Sequence, residues 1–277
     1  MKADLKILLS YVEEDLGRGD ATSEHIIPEN LKISGAIVAK KPGVLAGLEE
    51  VALLLDHFGI MYKAKLEDED AVRDGEVVIE ITGDARKILG LERVLLNLLM
   101  CMSGIATYTK RLAEICGKYG VTIAGTRKTT PGFRGLEKKA IAVGGGYPHR
   151  LDLGDAVLIK DNHVAAVGLN TAVKRAKSAV KGREIEVEVS TVEEVFKAID
   201  AGADIILLDN LAPDEVSNIL QYLERRSLRD KVKIELSGGI TPENLEEYAR
   251  LRPDCISMGY LTTSVPWLDM SMKVREV

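Results

Sequence analysis

Val121-Thr-Ile-Ala-Gly125-Thr-Arg-Lys-Thr-Thr-Pro-Gly-Phe-Arg134 is the stretch whose reading decides the fold. Its apolar opening, Val121–Gly125, has the length and composition of a short buried strand, and Pro131-Gly132 marks a turn beyond it. Between the two, Arg127 and Lys128 stand side by side at the strand exit. A strand cannot bury two cations without partners, so either a carboxylate or a bound anion must answer them. The stretch by itself leaves both answers open.

Downstream, the same pattern recurs. Apolar runs at Ala156–Ile159, Ile185–Val189, Ile205–Leu208, Val232–Leu236 and Cys255–Met258 each close on polar or glycine residues, and most are followed by an amphipathic segment. Thr191-Val-Glu-Glu194 has capping-box spacing, and Thr241-Pro242 would put proline at the first position of a helix. Six strand-helix units predict a parallel sheet, most simply a small or incomplete α/β barrel.

Upstream of residue 110 the pattern differs. A helix is expected over Leu5–Leu16, strands over Lys32–Lys40 and Glu76–Ile81, and a helix from Gly47 to Phe58, which together make an α+β unit. Ile33, Gly35, Ile37 and Ala39 would share one face of the first strand. A long helical pattern from Ile88 to about Tyr119, with Leu91, Val94, Leu95, Leu98 and Leu99 in register, is expected to break near Ser103-Gly104. Arg93 reads there as a solvated charge on the polar face. The domains are therefore set at 1–110 and 111–265.

Length and charge narrow the function. A chain of 277 residues is long enough for one large barrel or two ordinary domains. No uninterrupted apolar run reaches the roughly 20 residues that cross a bilayer, and the N-terminus shows no secretory pattern, so a soluble cytoplasmic protein is expected. Cys101, Cys116 and Cys255 are too far apart for a metal knuckle and read as reduced thiols. The net charge of -6 argues against a nucleic acid or an anionic membrane as partner. Residues 127–160 nevertheless carry +4, which leaves -10 for the remainder, and a local basic patch in an acidic protein suits a small anionic ligand.

Chemistry in parallel βα architectures gathers at the carboxyl ends of the strands. Those ends hold Arg127, Lys128, Lys160, Glu188, Asp209, Ser237-Gly-Gly239 and Gly259. Glycines after two late strands would let a phosphate approach the backbone, though they serve plain turns equally well. Glu188 and Asp209, on successive strands, could bind ribose hydroxyls, hold Mg²⁺ through water or steady a developing positive charge. A simple salt bridge from either to Lys160 or Lys128 is the competing account. His149 and Arg150 follow the glycine-rich Val143–Pro148, and His163 reads as a structural residue at a helix start.

Several motifs together identify a resemblance. Glu14-Asp-Leu-Gly-Arg-Gly-Asp-Ala-Thr22, Glu92-Arg-Val-Leu-Leu-Asn97, Ser103-Gly-Ile-Ala-Thr107, Gly125–Gly132, His149-Arg-Leu-Asp152, Ile159-Lys-Asp-Asn-His163, Glu186-Val-Glu188, Leu207-Leu-Asp-Asn210 and Ser237-Gly-Gly239 resemble the quinolinate phosphoribosyltransferases, the carboxylating nicotinate-nucleotide pyrophosphorylases. The match spans nearly the whole chain in order. It implies a homodimer with an open α/β sandwich N-terminal domain, joined by the tail 266–277, and a barrel-like C-terminal domain.

The implied reaction joins quinolinate to phosphoribosyl pyrophosphate with Mg²⁺, giving nicotinate mononucleotide, pyrophosphate and CO₂. The resemblance implies that Arg127, His149, Arg150 and Lys160 line the dicarboxylate site, that Thr126 also binds substrate, that Lys128 is close to both substrates and that Arg93 enters from the neighbouring subunit. It implies that Glu188 and Asp209 face the ribose and the metal, and that Ser237, Gly238, Gly239, Met258, Gly259 and Tyr260 hold the phosphate. Lys128, Glu188 and Asp209 are then the catalytic residues. The chain departs from the family at Tyr260, where a small residue is usual, and at Thr263, where a basic residue or histidine is frequent.

Three other readings compete. A related branch of pyrophosphorylase-like proteins associated with molybdenum uptake shares much of this framework, but the full set Arg93, Arg127, Lys128, Arg150 and Lys160 favours the quinolinate enzyme. A Schiff-base barrel enzyme would use Lys160 or Lys128 as nucleophile. A phosphate-binding scaffold would bind without turnover.

Overall fold

The structure, a computed structural model, describes residues 4–276. In chain order the strands are β1 (Lys32–Ala39), β2 (Gly43–Val44), β3 (Met61–Ala64), β4 (Ala71–Val72), β5 (Val77–Asp84), β6 (Thr122–Ala124), β7 (Val157–Ile159), β8 (Ile185–Val189), β9 (Ile205–Asp209), β10 (Lys233–Ser237), β11 (Cys255–Ser257) and β12 (Met270–Glu276). The chain divides into two units, one of residues 1–110, 135–145 and 264–277, the other of residues 111–134 and 146–263. Residues 135–145, which the sequence reading assigns to the second domain, belong to the first unit.

In the first unit, β12, β1, β5 and β3 form an antiparallel sheet in that order, and β2 pairs with β4. Ile33, Ile37 and Ala39 lie buried on the expected face of β1. Two helices form where caps allow. Asp4 accepts the Lys6 N–H at the start of Leu5–Leu16. Gly59, at φ 67°, ends Leu48–Phe58 in the left-handed turn that glycine favours.

The helix Ala85–Gly117 is continuous, so the expected break at Ser103-Gly104 does not occur. Small residues serve close approach there instead. The Ser103 hydroxyl accepts the Ala46 N–H at 3.0 Å and donates to the Ala46 carbonyl at 3.2 Å. A Cβ on Gly104 would stand 2.5 Å from the Pro266 carbonyl oxygen and 2.9 Å from the Trp267 Cα. By length and composition this helix could cross a membrane, but 61% of its most apolar window is buried in the fold, as in a core helix.

The first unit also breaks up the basic patch expected over residues 127–160. On the helix Arg134–Val143, Lys138 is fully buried, while Lys139 Nζ bonds Glu49 and, at 2.8 Å, the buried Glu50. The Lys139 charge is answered by carboxylates of this unit.

In the second unit the strand order is β6-β11-β10-β9-β8-β7, every pair parallel. This is the order of a barrel whose first and second strands do not pair, since β6 lies beside the last strand, β11. Ala124 of β6 instead bridges Tyr147 in parallel, with Tyr147 N–H donating to the Ile123 carbonyl at 2.8 Å. The expected small or incomplete α/β barrel of about six strands thus takes the form of a six-stranded parallel sheet. Thr191 caps its helix by accepting the Glu194 N–H at 3.2 Å. Near Thr241-Pro242, however, the helix starts only at Leu245, because the Asn244 side chain accepts the Thr241 N–H and holds residues 241–244 in a turn.

Alternation along these strands separates two faces. Ile206, Leu208, Ile234, Leu236 and Ile256 are buried on one face, and helices pack on the sheet. The other face is polar. Glu188 pairs in register with Leu207, Leu207 with Glu235, and Glu235 with Cys255, while Asp209 pairs with Ser237. Glu186, Glu188, Asp209, Glu235, Ser237 and Cys255 therefore share it.

Gly104→Ala tests the close approach in the first unit. With backbone atoms standing where the methyl must go, overpacking is expected to cost about 1–3 kcal/mol. Denaturant unfolding measures this, and a loss below about 0.5 kcal/mol would contradict the tight fit.

Candidate functional site

The loop leaving β6 presents Thr126, Arg127 and Lys128. Its shape comes from local hydrogen bonds: Gly125 N–H donates to the Tyr147 carbonyl, Lys128 N–H to Thr126 Oγ1 at 3.1 Å, and Thr129 N–H to the Arg127 carbonyl at 3.0 Å. Arg127 Nε is buried and has no partner. Such a donor asks for an acceptor, since leaving it bare costs about 1–3 kcal/mol or more for a charged group.

Arg150 adds to that demand. It is buried, with Nη1 3.5 Å from the Ala156 carbonyl oxygen. Burial pushes its pKa down, and the positive charge of Arg127 pushes in the same direction, against Glu186 and Glu188. Two guanidinium groups that disfavour each other make a site for an anion with more than one charge.

Across the sheet, Lys160 Nζ bonds Glu188 Oε2, with the lysine side chain 43% exposed and the glutamate 13%. The salt bridge weighed as a competing account for Glu188 is therefore present, and it leaves Lys160 open to solvent on one side. His163 accepts the Lys160 N–H through Nδ1 at 2.9 Å, the structural role expected of it.

Asp209 ends β9, and beside it the chain turns sharply. Asn210, at φ 56°, donates its N–H to the Ser237 carbonyl. Gly238, at φ 80°, lies so close that a Cβ would come within 2.6 Å of Asn210 N and 2.9 Å of Asp209 Oδ1. Only glycine fits, which keeps the Ser237–Gly239 backbone beside the Asp209 carboxylate. At the end of β11, Met258 is buried in the core and its N–H donates to the Ala124 carbonyl at 2.9 Å. Its side chain belongs to packing, and Gly259 and Tyr260 carry on the turn.

His149 goes elsewhere. At φ 59° it holds a backbone conformation that a side-chain-bearing residue rarely takes, and its Nδ1 accepts the Arg150 N–H at 2.8 Å. Its Nε2 lies 3.4 Å from Glu235 and 3.7 Å from Glu186. These three lie by a cavity of about 690 Å³ that opens at the amino ends of the strands and is also lined by Arg150, Lys233 and Cys255. The three donor atoms lie within 4.8 Å of one another, as metal ligands do. An Nδ1 that accepts an N–H leaves the proton on Nε2, however, and a protonated nitrogen cannot ligate.

Glu186 and Glu235 each keep one buried oxygen without a partner. Burial first, and then the charge of Glu235, pushes the Glu186 pKa up to about 7. Burial beside the same two carboxylates raises the Cys255 thiol as well, so it stays protonated. The sequence reading did not single out Glu235 or the role of Glu186. The signal was period-two spacing, which puts Glu186 on the face of Glu188 and Glu235 on the face of Ser237. Arg93 belongs to the first unit, exposed on the helix Ala85–Gly117.

Comparison with known proteins gives a consistent result. Residues 20–103 match the N-terminal domain of quinolinate phosphoribosyl transferase, and residues 105–273 match its C-terminal domain. The chain is 42% identical over 275 residues, 98% of its own length and 99% of the other, to a Methanothermobacter thermautotrophicus protein named “Probable nicotinate-nucleotide pyrophosphorylase (carboxylating)”. It is 41% identical over 243 residues, 86% of this chain and 81% of the other, to the Homo sapiens nicotinate-nucleotide pyrophosphorylase (carboxylating). The crystal structure of nicotinate-nucleotide pyrophosphorylase from Ehrlichia chaffeensis superposes with a TM-score of 0.93 at 30% identity, covering 99% of this chain and 100% of that one.

The buried acid pair predicts a pH effect. The unfolded chain releases the Glu186 proton near 4.5 and the folded chain only near 7, so stability is intact below pH 4.5 and falls as pH rises through 7. Glu186→Gln has no proton to lose and should gain about 3 kcal/mol on the parent between pH 4 and pH 8. Denaturant unfolding across that range measures it, and parallel curves for the two proteins would exclude it.

Proposed function

The chain belongs to the quinolinate phosphoribosyl transferase family, and from that premise we propose that it joins quinolinate to the ribosyl carbon of phosphoribosyl pyrophosphate, releasing pyrophosphate and CO₂ to leave nicotinate mononucleotide. The observation that carries the reading is the buried, unpartnered Arg127 Nε beside the buried guanidinium of Arg150. A pyridine dicarboxylate supplies two negative charges for two such groups, and planar carboxylates suit guanidinium donors.

The second substrate is also polyanionic, so cations must bring together molecules that repel each other. Lys128 stands between the dicarboxylate wall and the turn at Gly259, and Lys160, already answered by Glu188, adds charge at the rim. As pyrophosphate leaves, positive charge develops at the ribosyl carbon, and Glu188 and Asp209 on neighbouring strands stabilise it. The quinolinate nitrogen then forms the new bond. Loss of the neighbouring carboxylate as CO₂ leaves an electron pair at that ring carbon, held by the adjacent pyridinium, until a proton replaces it.

Glu188 and Asp209 fit Mg²⁺, because carboxylate oxygens are the donors that ion takes, directly or through water. When bound, it would offset the charge of the pyrophosphate group. Ser237, Gly238, Gly239 and Gly259 offer backbone to the phosphate, with Tyr260 at the edge of the turn. The working unit is a homodimer in the cytoplasm, with Arg93 of a neighbouring subunit completing the dicarboxylate site.

Quinolinate-dependent release of CO₂ and pyrophosphate, with nicotinate run as a competing acceptor, tests the activity itself. Arg127→Ala and Lys128→Ala should each lower kcat/KM by about 2–4 kcal/mol, roughly 30- to 1,000-fold, with the fold unchanged by circular dichroism. Near-parental kcat/KM in both would rule the assignment out.

For the shared site, mixing Arg93→Ala chains with Lys160→Ala chains should restore activity, because one site of the heterodimer is then intact. No recovery despite demonstrated subunit exchange would remove Arg93 from the site.

A further inference from the structure

Lys128 lies on an exposed loop, yet both of its peptide groups are tied by hydroxyls. Its N–H donates to Thr126 Oγ1 at 3.1 Å, and its carbonyl accepts the Thr262 hydroxyl at 2.6 Å. Thr262 belongs to the single helical turn Tyr260–Thr263, which follows Gly259 and is held by its own bond from Thr262 N–H to the Gly259 carbonyl. The two loops are neighbours because β11 pairs with β6. The side chain of Lys128 also crosses the second loop: a Cβ on Gly259 would stand 3.1 Å from Lys128 Cδ.

One 2.6 Å bond between partly exposed groups adds only about 1 kcal/mol to folding. Its larger effect is geometric. It joins the turn that offers backbone to the phosphate to the residue that faces both substrates, across 134 positions of sequence. The hydroxyl has a second acceptor within reach, the Gly259 carbonyl at 3.2 Å, so the contact can be made or exchanged without breaking the turn.

We propose that Thr262 is a positioning residue for the reaction: through its bond to the Lys128 carbonyl, filling of the Gly259–Thr263 turn by a phosphate ester sets Lys128 for the dicarboxylate, so that the two anionic substrates bind cooperatively despite their like charge. The proposal rests on the assignment of the two substrates given above. Linkage requires the coupling to be reciprocal, each ligand tightening the other by the same factor.

The test measures quinolinate affinity by calorimetry on the full chain, alone and with saturating ribose 5-phosphate, which carries the phosphate but no leaving group. In the parent protein, ribose 5-phosphate should tighten quinolinate binding by about 3- to 10-fold, the worth of one hydrogen bond. In Thr262→Val the factor should fall to about 1, while ribose 5-phosphate alone binds within about twofold of the parent. Thr262→Ser keeps the hydroxyl and should keep the coupling. In turnover, Thr262→Val should raise the KM for quinolinate by a similar factor with little change in melting temperature.

Coupling retained in Thr262→Val, or lost equally in Thr262→Ser, would overturn the proposal. If Thr262→Val does not fold, Thr262→Ala against Thr262→Ser makes the same comparison, and equal coupling in those two overturns it. Failure of the parent protein to bind quinolinate at all would instead overturn the substrate assignment, and the proposal with it.

Discussion

A buried guanidinium, Arg150, beside a half-buried one, Arg127, sets the terms for the second unit. Arg127 has a bare Nε, and Arg150 has its pKa depressed by burial and by Arg127. Arg150 is packed away, and the Arg127 backbone is held by Thr129, whose N–H and hydroxyl both donate to its carbonyl. The bare Arg127 Nε still asks for an acceptor. The lysines differ in this respect: Lys160 has Glu188, and Lys128 is exposed, so both are poised for a ligand without depending on one.

The same strands carry acids at two levels, and their surroundings divide the work. Glu188 and Asp209 lie toward the carboxyl ends, near cations and glycine turns, where a negative charge is useful. Glu186 sits two residues earlier on the same face, buried against Glu235, and there one proton is retained up to about pH 7. Like charges in low dielectric cannot both ionise cheaply, so the carboxylate of Glu235 adds to the effect of burial on Glu186. Residue type alone would not separate Glu186 from Glu188; burial does.

The fold was legible where periodicity is strong. Apolar runs marked β6 to β11, and β1 and β5 were seen through alternating or apolar residues. The two-residue strands β2 and β4 and the exposed β3 were not, because too few residues are buried to leave a pattern. Ser103-Gly104 misled for a different reason: small residues mark either a break or a close approach, and only the position of residues 266 and 267 decides which. At the site, the strand-end cations and acids could be placed by spacing. The partner of each could not, as Lys139 shows: it is counted in a basic stretch by sequence and answered by Glu49 and Glu50 in space. Thr262 escaped notice because a lone threonine in a turn carries no signal until its hydroxyl is seen on Lys128.

The seam of the sheet shapes the chain that leads to Arg150. β6 and β7 do not pair. Instead a single bridge from Ala124 to Tyr147 holds the seam, and the chain then passes through His149 at φ 59° before reaching Arg150. That conformation costs of order 1 kcal/mol or more in an L-residue, and it is held by the bond from Arg150 N–H to His149 Nδ1 and by the carboxylates facing Nε2. Those carboxylates favour the Nε2–H tautomer, which in turn makes Nδ1 an acceptor. The buried acids at one level thus help fix the backbone that carries Arg150, and the polar face of the sheet is one connected arrangement.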